Sequence, residues 1–163
     1  MRVLVTGGTG FVGCHTVAAL VADGHQVRLL VRDRERIAPA LGPLGITDLD
    51  AVVGDVTDAA TVQQALEGCE AVVHAASVFS FGPRRAAVMA KTNPTGTDLV
   101  LGAAQRQGLD PIVYVSTFGV FVPPTAARGP PARRSAPGSA PTPALRSPPS
   151  GSPAATSRPA PRW

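Results

Sequence analysis

Near the amino terminus, Thr6-Gly7-Gly8-Thr9-Gly10-Phe11-Val12-Gly13 places four glycines directly after the apolar run Val3-Leu4-Val5. One glycine permits a tight turn, Gly10 lets the backbone approach an anion, and Gly13 lets the next helix lie close to a sheet. The first amides of a helix have no acceptor within it, so they and the helix dipole face whatever anion sits there. Thr9, Phe11 and Val12 belong to the same loop and are candidate contacts. A strand before and a helix after these glycines point to a pyrophosphate, and so to a dinucleotide.

Other residues with usable chemistry stand at the ends of apolar runs. Val31, Arg32 and Asp33 compete for the position where a carboxylate would hold ribose hydroxyls or an arginine would pair with an extra phosphate. Asp55 and Val56 follow a third run, Ala75-Ala76-Ser77 a fourth, and Ser116-Thr117 a fifth. His74 reads as a packed strand residue, since no orienting carboxylate is visible beside it. Cys14 and Cys69 have no metal-ligand spacing and no nearby cation to activate them, and they read as small buried apolar side chains. No metal site is expected.

The elements that must carry these residues are legible as alternating periods. Val3–Val5, Gln26–Val31, Asp50–Gly54, Ala71–Ala76 and Ile112–Ser116 read as strands. Between them, Val12, Val17, Leu20 and Val21 recur at helical spacing until Gly24, a short helix is expected from Arg34 to Leu41, Asp58 is placed to cap a third, and helix-compatible sequence runs from Arg85 to Gln107. Near-continuous apolar strands joined by helices specify a parallel sheet buried on both faces, so the fold class is α/β, a doubly wound sheet of five strands.

Residues 1–122 hold nine Lys or Arg against eleven Asp or Glu, whereas residues 123–163 hold six Arg, twelve Pro, nine Ala and no acid. The formal net charge of +4 therefore comes from the second part. Two segments are expected, a folded domain over 1–122 and a disordered low-complexity tail over 123–163. Glycines and polar residues interrupt any apolar run near the amino terminus, which argues against an export signal or membrane span. A reducing cytoplasm is the expected compartment.

The front of the chain resembles the extended short-chain dehydrogenases/reductases, a family that includes nucleotide-sugar epimerases, dihydroflavonol reductases and 3β-hydroxysteroid dehydrogenases. Thr6 to Gly13 is similar to their TGxxGxxG motif. The likeness continues through Val27–Asp33, Gly54-Asp55-Val56, Val73–Ser77, Asn93 with Gly96-Thr97, and Val113–Thr117. It implies a Rossmann fold and an NAD(P) cofactor. In register with the family, the NAD carboxylate position falls on Val31 and the phosphate-binding arginine on Arg32, which favours NADP over NAD. Asp55 would bond the adenine amino group, and Ala75 and Ala76 would form the cofactor floor. Pro94 departs from the pattern, because proline restricts the residue before it, Asn93, away from helical geometry.

Family chemistry is hydride transfer, with a tyrosine as acid or base and a lysine four residues on that acidifies it. Thr117, with Ser116 before it, matches the hydroxyl that orients substrate. The pair itself is missing from these 163 residues, whose one tyrosine is Tyr114 and whose one lysine is Lys91. Proline, alanine, arginine and glycine have GC-rich codons, so the segment after 122 matches an out-of-frame reading of a GC-rich gene. The expectation is an oxidoreductase or epimerase relative that retains its dinucleotide-binding half, is truncated or frameshifted, and lacks turnover. The alternative is an NADP-binding redox sensor that signals through partners. The arginine-rich tail has one aromatic, Trp163, which leaves little to stack on bases and argues against a nucleic-acid ligand. An apolar fifth strand with a missing neighbour would invite self-association.

Overall fold

The computed structural model describes residues 1–79 and 83–117, with the side chains of all but 83 and 84. The expectations for 118–163, the tail among them, lie outside the described residues. The chain runs β1 (Arg2–Thr6), α1 (Phe11–Ala22), β2 (Gln26–Val31), α2 (Ile37–Leu41), β3 (Asp50–Val53), α3 (Ala59–Leu66), β4 (Ala71–His74), α4 (Pro83–Arg106) and β5 (Ile112–Tyr114). All strand pairs are parallel, in the order β3-β2-β1-β4-β5. The chain moves outward on one side of β1 through β2 and β3, then returns to its other side with β4. The order thus reverses between β1 and β4, where ligands of such sheets bind, outside the carboxyl ends of the strands.

Side-chain alternation makes two cores. Val3 and Val5 point with Val17, Leu29 and Leu41 into one face, while Leu4 points with Leu30, Val62, Leu66, Val72 and Val100 into the other. β1 is buried from both sides, hence its unbroken apolar run. Cys14 packs against the first core and Cys69 against the second, both half-buried rather than fully enclosed. Burial pushes the Cys69 thiol up, so it is an inert packing group.

Local signals set most element ends. Gly24, at φ +80°, closes α1, with the amides of Gly24 and His25 returning to the carbonyls of Val21 and Leu20. The Asp58 carboxylate accepts from the Ala60 amide at 3.1 Å and starts α3. The expected helix from Arg34 to Leu41 is instead a 3₁₀ turn over Arg34–Arg36 followed by the five-residue α2. Pro39 supplies no amide donor there, and Gly42-Pro43 ends the segment.

Two further expectations are corrected. β4 ends at His74 and β5 at Tyr114, so Ala75, Ala76, Ser116 and Thr117 stand in the segments that leave the strands. Pro94 lies inside α4, and Asn93 with it. Helix continues because packing of Val100, Ala103 and Ala104 into the second core outweighs the local preference. Ile112, Val113 and Tyr114 remain partly exposed on β5, which among the described residues pairs only with β4.

At the other end of the sheet, Arg28 was legible only as a strand residue. Its Nε donates to Asp50 Oδ2 at 2.7 Å, and its Nη1 donates to the Glu67 carbonyl at 2.7 Å and the Ala65 carbonyl at 3.3 Å. One guanidinium thereby closes the carboxyl end of α3 and ties β2 to β3. Arg2 donates to the same Asp50 oxygen at 2.7 Å. These bonds, Arg28 first, hold the Asp50 carboxyl below the usual carboxylate range.

Candidate functional site

A cavity of about 210 Å³ opens at the carboxyl ends of the strands, where the strand order reverses. It gathers Gly7, Thr9 and Gly10 from the loop after β1, Arg32 and Arg36 from the segment after β2, Asp55 and Val56 after β3, and Ala75 and Ala76 after β4. Thus eight of the cofactor contacts expected from the sequence line one space. Phe11, Val12 and Gly13 do not line it directly, and Ser116 and Thr117 lie outside it. Phe11 and Val12 are exposed at the start of α1, with the Phe11 ring edge-on to His15.

The glycines have separable reasons. Gly7 takes φ +73°, and a Cβ there would lie 2.6 Å from the Ala76 nitrogen. At Gly13 a Cβ would overlap the Gly7 carbonyl, so this glycine seats α1 on the loop. At Gly10, which lines the cavity, the one protein atom near a Cβ would be the Gly7 carbonyl oxygen, at 3.2 Å. The protein itself nearly tolerates a side chain at Gly10, and an occupant of the cavity would not.

α1 has an open amino end. Its cap residue is Gly10, no side chain caps it, and its first turn holds no acid. Cys14 is the first residue of the helix whose amide returns to the cap carbonyl, at 2.9 Å. The preceding amides point at the site an anion would take. Cradle and donors fit a pyrophosphate.

The three contenders at the end of β2 differ in exposure and in partners, and Val31 and Arg32 both line the cavity. Val31 is buried in the sheet, and Asp33 accepts the Glu35 amide at 2.9 Å as the cap of the 3₁₀ turn. Arg32 stays exposed at the cavity, joined by Arg36, which the sequence reading did not single out. The two stand four residues apart on a turn, a spacing that was available as a signal. Asp55 is held by Thr57, whose amide donates to Oδ1 at 2.9 Å and whose hydroxyl donates to it at 2.8 Å. Those bonds, the amide's first, keep its carboxyl below the usual range, with Arg32 adding attraction. Both bonds fall on Oδ1, and Oδ2 makes none among the described residues.

α4 supplies the remaining wall. Asn93 Oδ1 accepts the Val78 amide at 2.8 Å while its Nδ2 donates to the Val78 carbonyl at 3.0 Å, a two-point clasp on the segment after β4. Gly96 lies against Val56, where a Cβ would meet a methyl at 2.7 Å. His74, 1% exposed, is the packed strand residue expected, yet it also reaches the cavity wall. Burial lowers its pKa to about 4, so it is neutral at ordinary pH.

Comparison with known proteins agrees with this geometry. Residues 7–137 match the NAD(P)H-binding family. A 3β-hydroxysteroid dehydrogenase/Δ5→4-isomerase of Mycobacterium tuberculosis is 36% identical over 131 residues, covering 74% of this chain and 33% of that one. A UDP-glucose 4-epimerase of Klebsiella pneumoniae is 31% identical over 128 residues, covering 74% of this chain and 92% of its own. A short-chain dehydrogenase/reductase superfamily protein of Agrobacterium tumefaciens, solved with bound NAD, is 32% identical with a TM-score of 0.61, over 72% of this chain and 33% of that one. Apart from the Klebsiella protein, the chain spans about a third of the length of these relatives. Glycine loop, strand order and sequence likeness agree, and the chain belongs to the NAD(P)H-binding family of extended short-chain dehydrogenases/reductases.

Proposed function

We propose that the cavity holds NADP(H). In this reading the loop from Gly7 to Gly13, with Thr9, Gly10 and the amides of Phe11 and Val12, cradles the pyrophosphate. Asp55 accepts from the adenine amino group beside Val56, Ala75 and Ala76 lie beneath the nicotinamide half, and Arg32 pairs with the 2′-phosphate. The observation that carries NADP over NAD is the end of β2. Asp33 caps its own turn through Oδ1, Val31 is apolar and buried, and the charged groups from this segment that line the cavity are two arginines. A guanidinium pairs with a phosphate through two parallel bonds.

Fluorescence titration of the full chain with NADPH and NADH tests this. NADPH should bind more tightly, and Arg32→Ala should weaken NADPH by about tenfold while leaving NADH unchanged. Tighter binding of NADH by the unaltered chain would overturn the assignment.

Within these 163 residues no Tyr-x-x-x-Lys exists, so binding without hydride transfer is the expected behaviour, Ser116 and Thr117 supplying only the substrate-side hydroxyls. NADPH oxidation above background with any carbonyl substrate would contradict it. The same absence favours, as a second reading, a redox sensor whose partner binding depends on NADP. The free cysteines Cys14 and Cys69 fit a reducing compartment such as the cytoplasm. No helix among the described residues is long and apolar enough to cross a membrane.

A further inference from the structure

His74 sits at the meeting point of three strands and α4. Its Nδ1 is 2.7 Å from the hydroxyl of Thr6 on β1, its Nε2 is 3.4 Å from the hydroxyl of Thr97 on α4, and the Tyr114 ring of β5 stacks on it at 5.8 Å and 19°. Thr6 is fully buried, and its hydroxyl oxygen also accepts the Ala76 amide at 3.2 Å. An amide can only donate, and the Thr6 hydroxyl has one proton and, among the described residues, no other acceptor than Nδ1. The proton therefore runs from Thr6 to Nδ1. This leaves the imidazole proton on Nε2, where it faces Thr97. One neutral tautomer satisfies every contact.

The bonded chain ends on the atom that the glycine loop rests against. The Ala76 nitrogen is the closest neighbour of the space above Gly7, at 2.6 Å from where a Cβ would stand. Gly7, His74, Ala75 and Ala76 all line the cavity.

We infer that His74 is a positioning residue for the dinucleotide, its neutral Nε2–H form orienting the Thr6 hydroxyl and, through it, the Ala76 amide under the glycine loop. The imidazole makes no bond to the cofactor in this role. It fixes how far the floor of the cavity stands from Gly7. A protonated ring would present a second donor to Thr6, reverse that bond and leave the Thr6 proton without its acceptor, so the hydroxyl is no longer held in one orientation under Ala76. The titratable side chain facing the ring is Tyr114 of β5, while β1 and α4 present hydroxyls. Arg32, Arg36 and Asp55, the charged groups lining the same cavity, take no part in its shift, which arises from burial.

The inference rests on the dinucleotide reading, and its test separates the two. Long-range proton–nitrogen correlation spectra of the full chain, without added nucleotide, should show Nε2 protonated and Nδ1 bare at pH 7. Protonation at Nδ1 overturns the inference whatever the protein binds. NADPH titration should then show about a tenfold loss for His74→Leu and for Thr6→Val, with the double variant no weaker than either alone. His74→Asn, whose amide oxygen can stand where Nδ1 stands, should recover most of that loss. Additive losses, or an asparagine variant as weak as the leucine one, would reduce His74 to packing. If one variant does not fold, as judged by its melt, the spectrum and the other substitutions still decide. Absence of NADPH binding by the unaltered chain would overturn the dinucleotide reading and this inference with it.

Discussion

A methyl group added at Gly10 and one added at Gly13 meet different neighbours, and that difference separates binding from folding. At Gly13 it runs into the Gly7 carbonyl, and at Gly10, a residue that lines the cavity, its nearest contact is at 3.2 Å. Gly13→Ala should therefore cost about 1–3 kcal/mol of stability, read in a urea melt. Gly10→Ala should melt close to the unaltered chain and bind NADPH on the order of tenfold more weakly, read by titration. Equal destabilisation by both substitutions would contradict this division of roles. The glycines were legible because their constraint is local, set by one turn and the start of one helix. Arg32 rather than Asp33 was reached only through the resemblance, since nothing local in the sequence says that the Glu35 amide recruits Asp33 Oδ1. Arg36 came to the cavity through a 3₁₀ turn that the helical reading of residues 34–41 did not contain.

Elements were readable wherever burial on two faces leaves no choice of residue, as in β1 and β4. They were misread where packing overrides a local preference, and α4 is the clear instance. Proline in a helix interior removes a donor and crowds the preceding turn, at a cost of about 3 kcal/mol. α4 nevertheless passes through Pro94 because its later turns fill the second core and Asn93 clasps Val78. Pro94→Ala should accordingly raise stability by about 1–3 kcal/mol, measured by chemical denaturation. A lower melting point would mean that the irregularity at Pro94 is itself needed by the fold. Asn93→Ala should act in the opposite direction, by about 1–2 kcal/mol, because the Val78 amide and carbonyl lose their partners. Ends of strands were overestimated for a similar reason, since apolarity continues past the last paired residues, His74 and Tyr114.

Acid should act on the whole molecule through His74. Its pKa is 6.5 unfolded and about 4 in the fold, so between those values the unfolded chain binds more protons than the native one. Stability therefore falls as pH drops through that window, by roughly 3 kcal/mol in total, and is insensitive to this group above pH 7. Asp50 and Asp55 are shifted downward instead, so what they contribute is present above their unfolded pKa and lost as pH falls below it. Urea melts from pH 4.5 to 7.5 should show the slope, and His74→Asn should flatten it. An unchanged slope in that variant would assign the effect to other groups. β5, paired on one side among the described residues, predicts concentration-dependent elution in size-exclusion chromatography, and a constant monomeric volume would show that edge to be covered. The uncapped start of α1 reaches further than recognition. A ligand that binds only the native state stabilises it by about 2.7 kcal/mol at a hundredfold excess over its Kd. The nucleotide pool would then govern how often the chain opens to a protease, so that its lifetime in the cell follows the supply of the dinucleotide.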